Sequence, residues 1–342
     1  DRRRGSRARP IPAQTAIEVG KGHRLSRKSA AGAKAVLDRV AKPPEKKIEN
    51  GERDPAARRR QQEVEALLES ARAVLKHREF ADAARVIFDR CKGLIGAAAG
   101  YIALLSTEGT ENEVLFLDSG GLPCSVDPTL PMPIRGLRAQ VYQTGQAAYE
   151  NDFASSRWVQ FMPEGHATLD NVLFAPLTIE GAVVGLLGIA NKPGGFSQND
   201  ARLATAFGEL AAVALSNSRT LEALQNSEHR FHSLVETASD AIVCANSSGE
   251  IVLWNRGAEA MFGYPAAEAI EQPVTLIMPE RFHERHRQGM KRFLETGKPR
   301  IMGRTIDMSG LRSDGSEFPV ELSVTSWKAK QGTFFAGVIR DE

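Results

Sequence analysis

Apolar residues in the last third of the chain occur in short runs and alternating stretches, which predicts β-strands. Five segments have this pattern: 241–245, 251–254, 308–312, 318–325 and 333–339. The turn sequences 246–249 and 313–316 each contain a glycine that can take a positive φ, so we expect two hairpins. Asn255 can cap a short helix that Gly263 ends. We therefore expect an antiparallel sheet with helices between its second and third strands covering one face.

The middle of the chain mixes helical and extended patterns. Apolar side chains recur at helical spacing in 63–77 and 81–95, and a third helix over 136–144 stops at Gly145. Four runs are typical of strands: 101–105, 113–117, 172–177 and 182–190. The predicted order is helix, helix, strands, helix, strands and a long helix, so the chain is expected to be α+β.

Charge is distributed unevenly along the chain. Residues 1–60 contain 18 lysines and arginines and seven acids, whereas the whole chain of 342 residues has a net charge of only +2. This stretch has no aromatic residue for bases to stack on, and little to bury apart from a helix candidate at 33–40. We interpret residues 1–62 as a disordered basic linker and regard nucleic-acid or membrane-surface binding as the weaker alternative.

The C-terminal sequence resembles a PAS sensory domain of the S-box type. The residues that carry this resemblance are Glu236-Thr-Ala-Ser-Asp240, Ser248-Gly-Glu-Ile251, Trp254-Asn255, Met261-Phe-Gly-Tyr264, Arg312-Ser-Asp-Gly-Ser-Glu-Phe-Pro319 and Phe335-Ala-Gly337. Upstream, the sequence resembles a GAF domain in 173–177, in Gly181 and 184–188, and in Asn191-Lys192 with Phe196 and Asp200. The resemblances imply two antiparallel-sheet sensory domains, GAF over 63–218 and PAS over 233–342. A long signalling helix, with a coiled-coil linker at 219–232, would join them.

Asn191, Lys192, Phe196 and Asp200 form the candidate ligand pocket of the GAF domain. Cyclic-nucleotide-binding GAF domains have a similar pattern that ends in two acids, but here Ala201 follows Asp200. The alternative is structural: a strand end and a glycine-rich turn, with Asp200 near the start of the last helix, where the helix dipole favours a carboxylate. No cysteine stands where a bilin would need one, so the ligand of this domain is unknown.

The segment 278–293 resembles the corresponding region of haem-PAS oxygen-sensor kinases. The resemblance places His286 at the axial haem ligand and Arg292 near the propionates. The expected distal arginine falls on Ile306, and Arg304 stands two positions earlier. Haem therefore stays an alternative that this departure disfavours, and a solvated helical histidine is the simpler interpretation.

A heptad repeat of apolar residues connects the two domains. We predict a dimer seam formed by Leu210, Asn217, Leu221, Leu224 and Phe231. A single Asn217 on such a seam would fix its register at a cost in stability. The alternative is that residues up to 215 pack on their own sheet, and that only residues 216–231 pair.

The two resemblances imply the sensory input region of a bacterial signalling protein that responds to an unknown small molecule, and the heptad repeat predicts that it forms a parallel homodimer. We expect the output to be a histidine kinase core after residue 342, with a diguanylate cyclase or a transcriptional activator as alternatives. A non-enzymatic scaffold is a further alternative. The sequence shows no catalytic triad, phosphate-binding loop, metal-ligand cluster or membrane span, so we expect no turnover by this region and a cytoplasmic location.

Overall fold

The computed structural model describes residues 54–127 and 130–341, which divide into two compact units between Leu221 and Glu222. Residues 1–53 of the predicted linker 1–62, including the helix candidate at 33–40, lie outside the described residues, whereas residues 55–62 belong to a helix. Within the described ranges, no helix combines the length and apolar character that crossing a membrane requires.

The N-terminal unit begins with two helices, α1 (Pro55–Lys76) and α2 (Phe80–Ile95). Asp54 caps α1, since its carboxylate accepts a hydrogen bond from the Ala56 amide at 3.0 Å, and Pro55 occupies the first helical turn, where no amide donor is needed. The capping sequence starts α1 eight residues before the predicted Glu63. Gly96 ends α2 with a φ of 81°, a conformation that favours glycine.

Six antiparallel strands form the sheet of this unit: β1 (Ala99–Leu105), β2 (Glu111–Asp118), β3 (Met132–Pro133), β4 (Ala148–Glu150), β5 (Val172–Ile179) and β6 (Ala182–Ala190). Their order across the sheet is β3-β2-β1-β6-β5-β4. Helix α3 (Leu137–Thr144) and two 3-10 turns (Phe153–Ser155 and Val159–Phe161) precede β5, and α4 (Gln198–Thr237) follows β6.

The two faces of this sheet are covered differently. Ile102 of β1 pairs with Leu187 of β6 on the face where α1, α2 and α4 supply the large buried core. The opposite face contacts a smaller cluster that includes Leu137 of α3 and Phe153. A side chain on one strand therefore faces either the three-helix layer or α3 and its loops, according to its position in the alternation.

The C-terminal unit is a five-stranded antiparallel sheet with helices inserted after its second strand. Its strands are β7 (Ala241–Ala245), β8 (Ile251–Trp254), β9 (Thr305–Leu311), β10 (Glu317–Ala329) and β11 (Gly332–Asp341). Their order is β8-β7-β11-β10-β9. Helices α5 (Arg256–Phe262), α6 (Ala266–Ala269) and α7 (Glu280–Thr296), with a 3-10 turn at Val274–Ile277, connect β8 to β9. The five predicted strands and the inserted helices are confirmed.

The side chain of Asn255 connects the first elements of this unit through hydrogen bonds. Its side-chain oxygen accepts hydrogen bonds from the Ile242 amide at 2.8 Å and the Ala258 amide at 2.9 Å. Its amide group donates to the Val235 carbonyl at 2.9 Å and the Asp240 carbonyl at 3.1 Å. Because Asn255 is fully buried, these bonds fix the end of α4, the start of β7 and the first turn of α5 together. The predicted N-cap is confirmed.

Candidate functional site

Asn191 and Lys192 close the loop that follows β6. The Asn191 side chain accepts from the Asp170 amide at 2.8 Å and donates to the Thr168 carbonyl at 3.0 Å. Asn171 accepts from the Lys192 amide at 2.9 Å and donates to its carbonyl at 3.0 Å. Both candidate residues are therefore fastened to the loop that precedes β5.

Asp200 is the buried end of the same arrangement, in the first turn of α4. Its Oδ2 accepts from Lys192 Nζ at 2.5 Å and from the amide and hydroxyl of Ser197, both at 2.7 Å. Burial would raise the pKa of the carboxyl, but the bonds from Lys192 and Ser197 outweigh it and hold the pKa below its ordinary value. The other oxygen, Oδ1, is buried without a hydrogen bond to any described residue, and Arg59 Nη2 lies 3.9 Å from it.

We call Asn191, Lys192, Phe196 and Asp200 the clasp. Phe196 is buried in the core next to α4, and its backbone amide and carbonyl are both bonded to the Asn151 side chain, at 2.7 and 3.0 Å. The structure thus brings the four candidate residues into one region. Their polar groups are bonded to other parts of the protein, apart from one oxygen of Asp200, which is the arrangement expected of a structural support for α4.

A second polar cluster, on the sheet face that α3 covers, has no counterpart among the sequence-predicted sites. It contains Tyr101 of β1, Asn112 of β2, and Arg138 and Tyr142 of α3. The Tyr142 hydroxyl donates to Asn112 Oδ1 at 2.7 Å, whereas the buried Tyr101 hydroxyl makes no hydrogen bond to the described residues. Sequence alone gave no signal for this cluster, because only the packing of α3 on the sheet brings its members together.

An open groove lies beside α3 along the edge strand β4. It has a volume of about 510 Å³, and its lining includes Tyr149, Glu150, Arg157 and Trp158. The Arg157 guanidinium lies 4.2 Å from the centre of the Trp158 ring, a distance typical of a cation–π contact. The groove is wide and shallow, so it offers an accessible surface rather than an enclosed ligand cavity.

In the C-terminal unit, His286 is half-buried on α7. Burial, and then the charges of His283 and Arg287, lower the pKa of His286, so that its imidazole is neutral near pH 7. The neighbouring His283 bonds through Nε2 to the Met278 carbonyl at 2.8 Å. Arg292 is exposed on α7, and Arg304 is exposed immediately before β9. The three candidate haem residues thus differ in exposure, with the histidine half-buried and both arginines facing solvent.

The predicted seam residues lie on one continuous helix of 40 residues, α4, but in two environments. Leu210 is buried in the core of the N-terminal unit, with 7% of its side chain exposed. Beyond it, Asn217 is exposed and Leu221 is half-buried, while Leu224 and Phe231 are 64% and 61% exposed. Leu210 packs in the core of its own domain and is not free for a dimer contact, so the accessible part of the predicted seam begins after it.

Comparison with known proteins agrees with this division into units. A GAF domain model matches residues 77–216, and a PAS fold model matches residues 229–341. The chain thus contains a GAF domain followed by a PAS domain, joined by α4.

Three relatives each match about a third of this chain. The chain is 40% identical over 116 residues to an uncharacterized protein of Azorhizobium caulinodans, covering 34% of this chain and 16% of that protein. It is 34% identical over 119 residues to the sensor protein FixL of Bradyrhizobium diazoefficiens, covering 35% and 24%. It is 23% identical over 99 residues to the oxygen sensor protein DosP of Escherichia coli, covering 29% and 12%. The match spans less than a quarter of each relative, and the two sensory domains make this chain a signal-transduction input region.

Proposed function

We propose that this chain is the dimeric sensory input region of a cytoplasmic two-component sensor histidine kinase, whose kinase core follows residue 342. A small molecule that binds one of the two domains would alter the helix that both domains share. The order of the two domains and the similarity to proteins named as sensors support this proposal.

The observation that carries the proposal is the change in burial along α4. The helix leaves the GAF core after Leu215 and then presents Leu224 and Phe231, with most of each side chain exposed. Exposed apolar residues at heptad spacing on a continuous helix are typical of a coiled-coil seam. Paired helices of this kind transmit a signal by rotating or shifting relative to each other, which biases the next domain between two states.

The oligomeric state tests this proposal directly. We expect analytical ultracentrifugation to show a dimer for the wild-type chain, and Leu224→Glu to weaken association at least tenfold. Leu117→Glu is the matched control, because Leu117 is a 56% exposed leucine of β2 outside the predicted seam, and this substitution should leave the dimer intact. A monomeric wild type, or equal effects of the two substitutions, would rule out the seam.

The output can be tested on the whole protein. A kinase would produce an acid-labile phosphohistidine from ATP, whereas a diguanylate cyclase would produce a cyclic dinucleotide from GTP. A transcriptional activator would bind promoter DNA, and a scaffold would give none of these signals. Only the first outcome supports the kinase.

A haem-based sensor is the second candidate, and the neutral, half-buried His286 favours it. A neutral imidazole is one of the axial ligands that haem iron takes, and bound haem would supply a site for O₂. The residues fit this axial role but not a distal hydrogen-bond donor. Ile306 is an apolar, half-buried residue of β9, and Arg304 lies just outside that strand.

Absorption spectroscopy decides between haem and no haem. The chain would be expressed with added haem precursor, and a sharp Soret band that disappears in His286→Ala would establish haem. His283→Ala is the control, because the His283 side chain is bonded to the backbone of Met278 and should not affect the band. A spectrum without a Soret band would exclude this candidate.

A further inference from the structure

The hydroxyl of Tyr101 is a buried polar group for which the described residues provide no hydrogen bond. The ring is held in place by its neighbours: it lies 6.2 Å from the Phe174 ring, and both rings cover Gly188. A Cβ at Gly188 would come within 2.9 Å of ring atoms of both residues. Since the ring cannot turn its hydroxyl to solvent without disturbing this packing, the group stays unsatisfied, which is unfavourable.

Two side chains of α3 lie around this hydroxyl. Arg138 and Tyr142 are four residues apart, and therefore on the same face of the helix. Burial raises the pKa of Tyr101, and the adjacent Arg138, through its charge and a hydrogen bond to the ionised phenol oxygen, offsets only part of that rise. Burial and the neighbouring Tyr101 raise the pKa of Tyr142 as well. Both phenols therefore stay protonated over the physiological range.

Asn112 fixes the orientation of Tyr142. It is buried, accepts from the Tyr142 hydroxyl at 2.7 Å, and donates to the Met132 carbonyl at 3.3 Å. The Tyr142 proton is used in this bond, so Tyr101 is the phenol with a proton to donate. Arg138 adds five N–H donors, more than one phenol oxygen can accept from.

The cluster thus has donors and a positive charge, and the group it lacks is an anionic acceptor. We propose that Tyr101 and Arg138 bind the carboxylate group of a small organic acid, which would be the ligand of the sensory function proposed above. A carboxylate can accept two parallel bonds from a guanidinium and a third from a phenol. A doubly charged phosphate is less well matched, because Arg138 is the only cation among the four residues of the cluster.

The position of the cluster also connects it to α4. Tyr101 lies opposite Gly188 in the pairing of β1 with β6, and β6 leads through the clasp into α4. A ligand held between Tyr101 and Arg138 would join α3 to the central strands. Its effect would then reach α4 through the strand that precedes that helix.

Sodium acetate and acetamide, which have the same shape and differ in charge, provide the test. The full chain would be titrated with each ¹³C-labelled compound at constant ionic strength, adjusted with sodium chloride. The NMR line width of the compound and the thermal unfolding midpoint (Tm) of the protein would be measured. We expect the acetate signal to broaden and acetate to raise the Tm of the protein, and we expect neither effect with acetamide. Arg138→Gln and Tyr101→Phe should each weaken acetate binding at least tenfold, and the control Arg157→Gln, in the open groove, should not.

Measurements of stability and oligomeric state distinguish failure of the carboxylate site from failure of the proposed dimer seam. Because Tyr101→Phe removes an unsatisfied buried hydroxyl, it should leave the Tm of the ligand-free protein unchanged or raise it. A lower Tm would show that the protein itself satisfies the hydroxyl and would overturn the site. Equal responses to acetate and acetamide, unchanged acetate binding in both variants, or a response to inorganic phosphate alone would overturn the carboxylate assignment. Both variants should remain dimeric like the wild type, and a monomeric wild type that still binds acetate would count against the proposed seam and not against the carboxylate site.

Discussion

The two halves of α4 continue the same apolar repeat in opposite surroundings. Leu210, in the first half, is 7% exposed in the GAF core, whereas Leu224, two heptads later, is 64% exposed. The repeat alone gives both residues the same predicted role. The difference shows that a heptad pattern can serve a domain's own core in one segment and an intermolecular contact in the next.

The largest effect is expected at the clasp, where the first half of α4 is anchored. Asp200→Asn should lower the free energy of unfolding of the GAF domain by about 3–5 kcal/mol, because it leaves the Lys192 cation without its buried partner. Hydrogen exchange of the GAF amides would measure the loss. The exposed Asp89→Asn on α2 is the control, expected to change stability by less than about 0.5 kcal/mol.

The same carboxylate predicts a pH dependence. Its folded pKa is lowered, so its contribution is complete above the unfolded pKa and is lost as the pH falls through the folded value. The wild type should therefore lose this stabilisation in acid, and Asp200→Asn should lack that part of the dependence. Parallel pH profiles for the two proteins would contradict the role assigned to Asp200.

Alanine substitutions compare the two halves of the helix directly. Leu210→Ala should cost the GAF domain about 2–5 kcal/mol, since it removes a buried side chain from a packed core. Leu224→Ala should leave the intrinsic stability of the GAF domain within about 0.5 kcal/mol of wild type and weaken the dimer instead. Chemical denaturation at protein concentrations below and above the dimer dissociation constant separates the two effects. If Leu210→Ala and Leu224→Ala lowered the stability of the GAF domain equally, the proposed difference between the two halves of α4 would be wrong.

Glu228 interrupts the accessible half of the seam, three positions before Phe231 and four after Leu224. Since a charged residue at a seam position must be desolvated or repel its copy, Glu228→Leu should tighten the dimer by roughly tenfold. Sedimentation equilibrium would measure the change. Gln225→Leu adds the same side chain at an exposed position outside the repeat and should have little effect.

The smallest effect is expected at Asn217, where the helix leaves the GAF core. Asn217→Leu should strengthen association slightly and allow species other than the dimer, because a polar seam residue restricts register and oligomer number. Light scattering coupled to size-exclusion chromatography would detect a mixed population. A single, unchanged dimer would show that Asn217 is not part of the seam.

Local sequence signals predicted most of the fold. Asn255 capped its helix and Gly263 ended it as expected, and the turns at 246–249 and 313–316 connect the predicted strands. These features depend on neighbours in the chain, where backbone preferences and short-range hydrogen bonds decide the conformation. The start of α1 at Pro55 was missed, since an apolar pattern does not mark a helical turn that is solvent-exposed.

The candidate ligand sites depended more on contacts between distant segments. The sequence identified Lys192 and Asp200 as a pair of interest, and their function as ligand contacts stays a prediction. The structure joins them to each other and to Ser197, so the two opposite charges neutralise each other within the protein. Tyr101 and Arg138, by contrast, are separated in sequence and carry no local motif, and they lie together because α3 packs on the sheet that contains β1.

The sequence by itself determined the two sensory domains, their order and the helix that connects them. Their strands, turns and helices follow from apolar periodicity and turn residues, which act over short distances along the chain, whereas the resemblance of their motifs to PAS and GAF domains implied that they are sensory. Only the tertiary structure decided which apolar positions of α4 are already buried, which polar groups of the clasp are satisfied, and that the Tyr101 hydroxyl is not. Burial and hydrogen-bond satisfaction depend on residues far apart in sequence, so no local pattern contains them.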